Sequence, residues 1–129
     1  MPTAVANIMG VNGMTVTGTA TFKQGATMTT IDLKLTACPD GAHAAHLHAV
    51  KDCSNNGDAA MGHWIPNGEG LPDFTCANNM GSLTFMKATS EWTVGDGSAT
   101  DVSKYSIIVH AMGGASPGGR SGCGLINKQ

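Results

Sequence analysis

The stretch "GAHAAHLHAV", residues 41 to 50, holds three of the five histidines in this chain: His43, His46 and His48. If residues 44 to 50 form a strand, His46 and His48 project from one face and Leu47 from the other. Their Cα atoms then lie about 6.6 Å apart, two rises of roughly 3.3 Å. That separation lets two imidazoles converge on one metal ion. The other reading of an isolated His-x-His pair is two hydrogen-bonded or surface histidines on a strand. His43 is out of step with the pair and falls near a turn, where it reads as a structural hydrogen-bonder. His63 lies in "MGHWIPNG", inside a long loop, and His110 closes the apolar run "SIIVH". His110 shares a face with Ile108, so a core histidine is its alternative. Two strand residues, one loop residue and one strand-end residue together make a four-imidazole set, chemistry suited to copper, zinc, iron or nickel.

Strands are the elements that must position them. The 129 residues fit a single domain, 1–129, and the 41% hydrophobic content suffices for a core. Gly and Thr are abundant and aromatics few, the composition of an all-β chain rich in turns. In "TVTGTATF", Val16, Gly18, Ala20 and Phe22 alternate with Thr15, Thr17, Thr19 and Thr21, the period of a half-buried strand. "TIDLKL" alternates in the same way. "AHLHAV", "GSLTFMKA", "SEWTV", "KYSIIVHA" and a short terminal "CGLI" complete an expectation of seven or eight strands. Two Gly/Asn/Pro-rich stretches, residues 51–80 and 111–122, interrupt the rhythm as long loops, which in a small domain are usually functional or disordered. A net charge of −2 with no basic cluster gives no sign of a nucleic-acid partner. No apolar run is long enough for a membrane-spanning helix, and "MPTAVANIMG" lacks the basic and apolar regions of an export signal.

These residues carry a family resemblance. "GAHAAHLH" resembles the G-x-H-G-F-H-x-H segment of copper/zinc superoxide dismutases, and "GHWIPNG" resembles their G-H-F-x-P segment. "LPDF", "SIIVHA" and "GGRSGCGLI" resemble L-P-N-L, S-x-V-V-H-E and G-x-R-x-A-C-G-V-I, and "VTGTATFKQ" resembles the family's first long strand. The matches keep the family order from about residue 14 to the C-terminus. The resemblance implies an eight-stranded antiparallel Greek-key barrel, an immunoglobulin-like sandwich, with two long functional loops around a copper site. It implies His46, His48, His63 and His110 as ligands of one copper, and copper-dependent dismutation of superoxide to oxygen and hydrogen peroxide. It gives Arg120 the task of orienting the superoxide anion, the alternative being a loop arginine that caps backbone carbonyls. His63 enters catalysis as the ligand that releases the metal and takes a proton.

The departures are as informative. The family's zinc site needs two further histidines after G-H-F and an aspartate before L-P, but Asn67 and Gly70 stand at two of those places and the other histidine has no counterpart. The second loop is short and lacks most of the guiding charges. The combination resembles the copper-only branch, including copper-only domains that occur as tandem repeats. No zinc is expected, and the chain reads as a monomer or one repeat of a longer protein. With zinc gone, a carboxylate must hold the far nitrogen of His63; Glu69 is the first candidate and Asp73 the second, the alternative for each being a solvated loop acid. His43 is expected to buttress the site from the turn.

Cys123 matches one half of the family disulfide, with Cys53 its best partner; that bridge is worth roughly 4 kcal/mol on a chain-entropy model. Cys38 and Cys76 remain, as a second disulfide clamping the shortened loop or as two buried thiols. These pairings imply an extracellular or periplasmic protein. A copper carrier or storage domain with the same ligands and no turnover is the competing function; a structural module that kept only the barrel is a third.

Overall fold

The computed structural model describes residues 1–112 and 119–129; the centre of the second expected loop, 113–118, lies outside the described residues. Among the described residues nine strands follow one another: β1 (Thr3–Gly10), β2 (Thr17–Gln24), β3 (Met28–Thr36), β4 (Gly41–His43), β5 (Ala45–His48), β6 (Phe74–Cys76), β7 (Met80–Ala88), β8 (Ser106–His110) and β9 (Arg120–Lys128). Seven of them form one antiparallel sheet in the order β5-β8-β9-β1-β2-β3-β7, curled into a half-barrel, and β4 pairs with β6. β9 sits between β1 and β8, and β3 beside β7, so connections cross the ends of the sheet in the Greek-key manner.

The alternation explains the inside. Val16, Ala20 and Phe22 are fully buried with Ile31, Leu33 and Leu35 from the next strand, while the threonines of β2 face outward or lie half-buried. Phe22 meets Trp92 edge-on at 5.6 Å. From the other end of the sheet come Leu47, Ile107, Val109 and Ile126.

One strand has no expectation attached to it, and two local expectations need correction. "TAVANIMG" forms β1, with Ala4, Ala6 and Ile8 buried; small alanines gave a weak apolar signal there. "SEWTV" forms no named strand and makes only a single bridge, Thr93 with Asp101, because the following backbone turns around the Asp101 carboxylate. That carboxylate accepts from the N–H groups of Gly95, Gly97 and Ser103 and from the Ser103 hydroxyl, all at 2.7–2.9 Å. "CGLI" is the middle of a nine-residue strand, since β9 is paired on both sides, to β1 and to β8. Among the described residues the β4–β6 pair lies beside the seven-stranded sheet and partly inside the 51–80 loop.

The two disulfides join this frame to its loops. Cys53–Cys123 ties the loop before His63 to β9, and Cys38–Cys76 ties the chain before β4 to the end of β6.

Candidate metal centre

The register of β5 and β8 builds half of the site. His46 lies opposite Ile108 and His48 opposite Ser106, so the His46/His48 face of β5 continues into the Ile108/His110 face of β8. Leu47, between the two histidines, is fully buried in the barrel core. The outer face is covered by the loop: Ile108, Cys123 and Ala60 form a small separate apolar cluster with Val11 and Cys53 against it. At the end of β8 the ladder shifts register, with Val109 opposite Gly122 and His110 opposite Arg120. This bulge re-aims the strand end, as bulges beside functional sites commonly do, and sets His110 beside Arg120.

The loop supplies His63 by docking along β5 almost as another strand. Ala49 N–H donates to Gly62 O, Trp64 N–H to Leu47 O and Leu47 N–H to Gly68 O, each at 2.9 Å, and His48 bridges to His63. Gly68 is required at this contact, since a Cβ there would come 2.3 Å from Leu47 O. Trp92 anchors the same loop from inside, its indole N–H donating to Asn67 O at 2.7 Å.

The four expected ligands come together. Ring centroids are 4.1 Å apart for His46 and His63, 4.8 Å for His48 and His63, 5.0 Å for His46 and His110, and 5.4 Å for His48 and His110. One nitrogen from each of His46, His63 and His110 lies within 4.8 Å of the others, and His48 Nε2 is 3.4 Å from His110 Nε2. His48 Nδ1–H donates to Met61 O at 2.8 Å, leaving Nε2 to face the cluster. His46 Nδ1 is buried without a hydrogen-bond partner. A buried nitrogen lone pair with no donor is the kind of group a metal satisfies, so the residues fit a bound ion.

Burial favours the neutral form of His46, His48 and His110. It is the largest cause lowering His110 to about 3, followed by the neighbouring His46, His48 and His63 and by Arg120. It lowers His48 to about 4 against the Met61 carbonyl bond, which raises it, with Arg120 adding to the fall. His46 is lowered by burial and by His63, partly offset by Glu69 and Asp73. Uncharged imidazoles at neutral pH are the metal-binding form.

Around the four, Glu69 Oε2 accepts from His63 Nδ1–H at 2.9 Å, and this bond is the main cause holding the Glu69 carboxyl below its ordinary value. Asp73, the second candidate, is felt electrostatically at His46. His43 is buried, donating from Nδ1 to His110 O at 2.9 Å with Nε2 2.6 Å from Pro39 O. It buttresses the strand end that carries His110. Arg120 donates to Gly57 O and Met61 O, so it does cap loop carbonyls, and from there its charge reaches His48 and His110. No sequence signal marks the Met61 carbonyl, which serves His48 and Arg120 together, because any residue type offers a carbonyl. Asp101 carries only a weak signal of its own, its place after Gly95 and Gly97 and two residues before Ser103, the groups its carboxylate binds.

The family model for copper/zinc superoxide dismutase matches residues 16–126. The chain belongs to the copper/zinc superoxide dismutase family. A copper-zinc superoxide dismutase of Legionella pneumophila is 29% identical, over 84% of this chain and 76% of that relative. Copper is a metal of this family, and the group of His46, His63 and His110 could hold a metal ion.

Proposed function

We propose that this protein is a copper-dependent superoxide dismutase of the copper-only kind, with His46, His48, His63 and His110 as the copper ligands and no zinc site. The observation that carries the reading is the His63 Nδ1–Glu69 hydrogen bond of 2.9 Å. In a zinc-containing relative that nitrogen would face zinc; here a carboxylate of the same chain takes it. Two further observations support it. Asn67 is engaged with the backbone, its Nδ2 donating to Glu91 O at 3.0 Å and its carbonyl accepting from Trp92. Gly70, at the place expected of a zinc aspartate, has no side chain and a φ of 93°.

Bound copper would supply the one-electron couple that alternately oxidises and reduces superoxide. The chain supplies the rest. Arg120, pinned through two carbonyls, offers a fixed positive charge beside His48 and His110 for an incoming anion, in preorganised form. His63 Nε2 can take a proton without turning its ring, because Glu69 holds the opposite nitrogen and balances the imidazolium charge. Leu47, Ile107 and Val109 close the inner side of the site, so substrate approaches from the loop side. Two disulfides support an extracellular or periplasmic place for the reaction.

The test is metal analysis together with superoxide decay on copper-loaded protein. About one copper per chain without zinc, and fast decay, is the expected result. Tight copper binding without acceleration would make the protein a carrier instead. His110→Ala should lose copper, whereas Arg120→Ala should keep it and lose about 10²-fold in turnover.

A further inference from the structure

A second group of metal-ligating atoms lies outside the histidine cluster. One ligand atom each from Cys38, His43 and Cys76 falls within 4.8 Å of the others. All three residues are buried, at 0%, 3% and 1% exposure. We propose that reduction of the Cys38–Cys76 disulfide opens a Cys38–His43–Cys76 site that binds copper as Cu(I).

The β4–β6 ladder builds this site. Gly41 lies opposite Cys76 and His43 opposite Phe74, so His43 and Cys76 share a face as diagonal neighbours, within reach across a strand pair. Cys38 completes the group from the turn before β4. His43 is held between two backbone carbonyls, one of which it can keep as a metal ligand. Its Nδ1–H donates to a backbone carbonyl, that of His110, which fixes ring orientation as such bonds do for metal-bound imidazoles. Its other nitrogen lies 2.6 Å from the Pro39 carbonyl, next in the chain to Cys38, a contact that takes a ring N–H, so ligation costs His43 that hydrogen bond and releases its proton to solvent.

The donor set selects the metal. Two thiolates and an imidazole are soft to borderline ligands, which favour Cu(I) or zinc. A closed zinc site takes four protein ligands; among the described residues this group has three, the number that suits trigonal Cu(I). Gly81 packs on Cys76, a Cβ there coming 2.6 Å from its Sγ. The same glycine lines a groove of about 440 Å³ with Lys34, Leu35, Met80 and others, so glycine backbone separates the groove from the sulfur.

The chemistry balances with a dithiol as reductant. It passes two electrons and two protons to the Cys38–Cys76 bond, leaving two cysteine thiols and its own disulfide. Cu(I) then displaces both thiol protons to solvent. Disulfide and metal use the same two sulfurs, so each excludes the other.

The test uses the full chain, reduced with a phosphine that is then removed without oxygen, and titrated with Cu(I) against a competing chelator. Reduced wild type should bind one Cu(I) more than Cys38→Ser/Cys76→Ser, with sulfur neighbours in the copper X-ray absorption spectrum. Those sulfur neighbours should persist in Cys53→Ser/Cys123→Ser and in His46→Ala/His110→Ala. His43→Phe should weaken the site at least tenfold. Absence of sulfur-bound copper in reduced wild type overturns the proposal, whether the fold survives reduction or not. So do sulfur neighbours that follow Cys53 and Cys123, or an affinity indifferent to His43.

Discussion

Glu69 is one carboxylate on a half-exposed loop, yet it decides how His63 stands. Its bond fixes which nitrogen of the ring carries hydrogen and which is left for a metal. Glu69→Gln keeps the shape and removes the charge, so copper affinity should fall about tenfold, at the lower end for an outer partner of a metal histidine. Competition with a copper chelator measures it; an unchanged affinity would reduce Glu69 to a solvated acid. Of the two carboxylates suggested by the sequence, proximity favoured both. The turn that brings Glu69 N–H to Pro66 O is what places one of them on the ring. Arg120 shows the same limit: its two readings, carbonyl cap and anion site, are compatible, because a guanidinium has more donors than the two carbonyls consume.

Asp101 organises the turn that stands where a strand was expected. Burial alone would raise its carboxyl, but the bonds from Gly95, Ser103 and Gly97 outweigh it and hold the group below its ordinary value. A carboxyl lowered in the fold stabilises above its unfolded value, about 3.8, and that stability is lost as pH falls through the lower folded value. Asp101→Asn should therefore cost about 1–3 kcal/mol at neutral pH. The gap to wild type should close below about pH 3.8, as read by thermal unfolding across pH. A gap that is constant with pH would assign the cost to shape rather than charge. The strands themselves were legible where apolar and polar residues alternate cleanly, as in β2 and β3. β1 carries a weaker signal because alanines bury little area, and "SEWTV" alternates for a different reason: Trp92 fills the core from a turn.

Across the whole molecule, the Cys53–Cys123 bond is the strut between barrel and site. It holds the loop whose Gly57 and Met61 carbonyls receive Arg120. Cys53→Ala/Cys123→Ala should lose roughly 4 kcal/mol of stability and also copper affinity, seen in denaturant unfolding and metal competition. Lost stability with copper affinity intact would confine the bond to the fold. Charge tells a second molecular story. With 12% charged residues and a net charge of −2, little field remains to steer an anion over distance. The superoxide rate should then fall only weakly with ionic strength; stopped-flow decay across a salt series measures it, and a steep fall would reveal steering.

Residue type and periodicity determined the all-β character and the pairing of His46 with His48 on one face, because a strand's two-residue repeat is a local property. Placement added His63 and His110, and the ordered likeness to a family made the four histidines copper-ligand candidates and paired Cys53 with Cys123, leaving Cys38 and Cys76. Only the tertiary structure decided how they meet. The bulge beside Val109, the loop laid along β5 and the Met61 carbonyl are contacts between segments far apart in the chain. Such contacts depend on packing and backbone hydrogen bonds that any residue type can supply, so no motif announces them. The same holds for Cys38, His43 and Cys76: three ordinary positions in sequence, made one group by the register of two short strands.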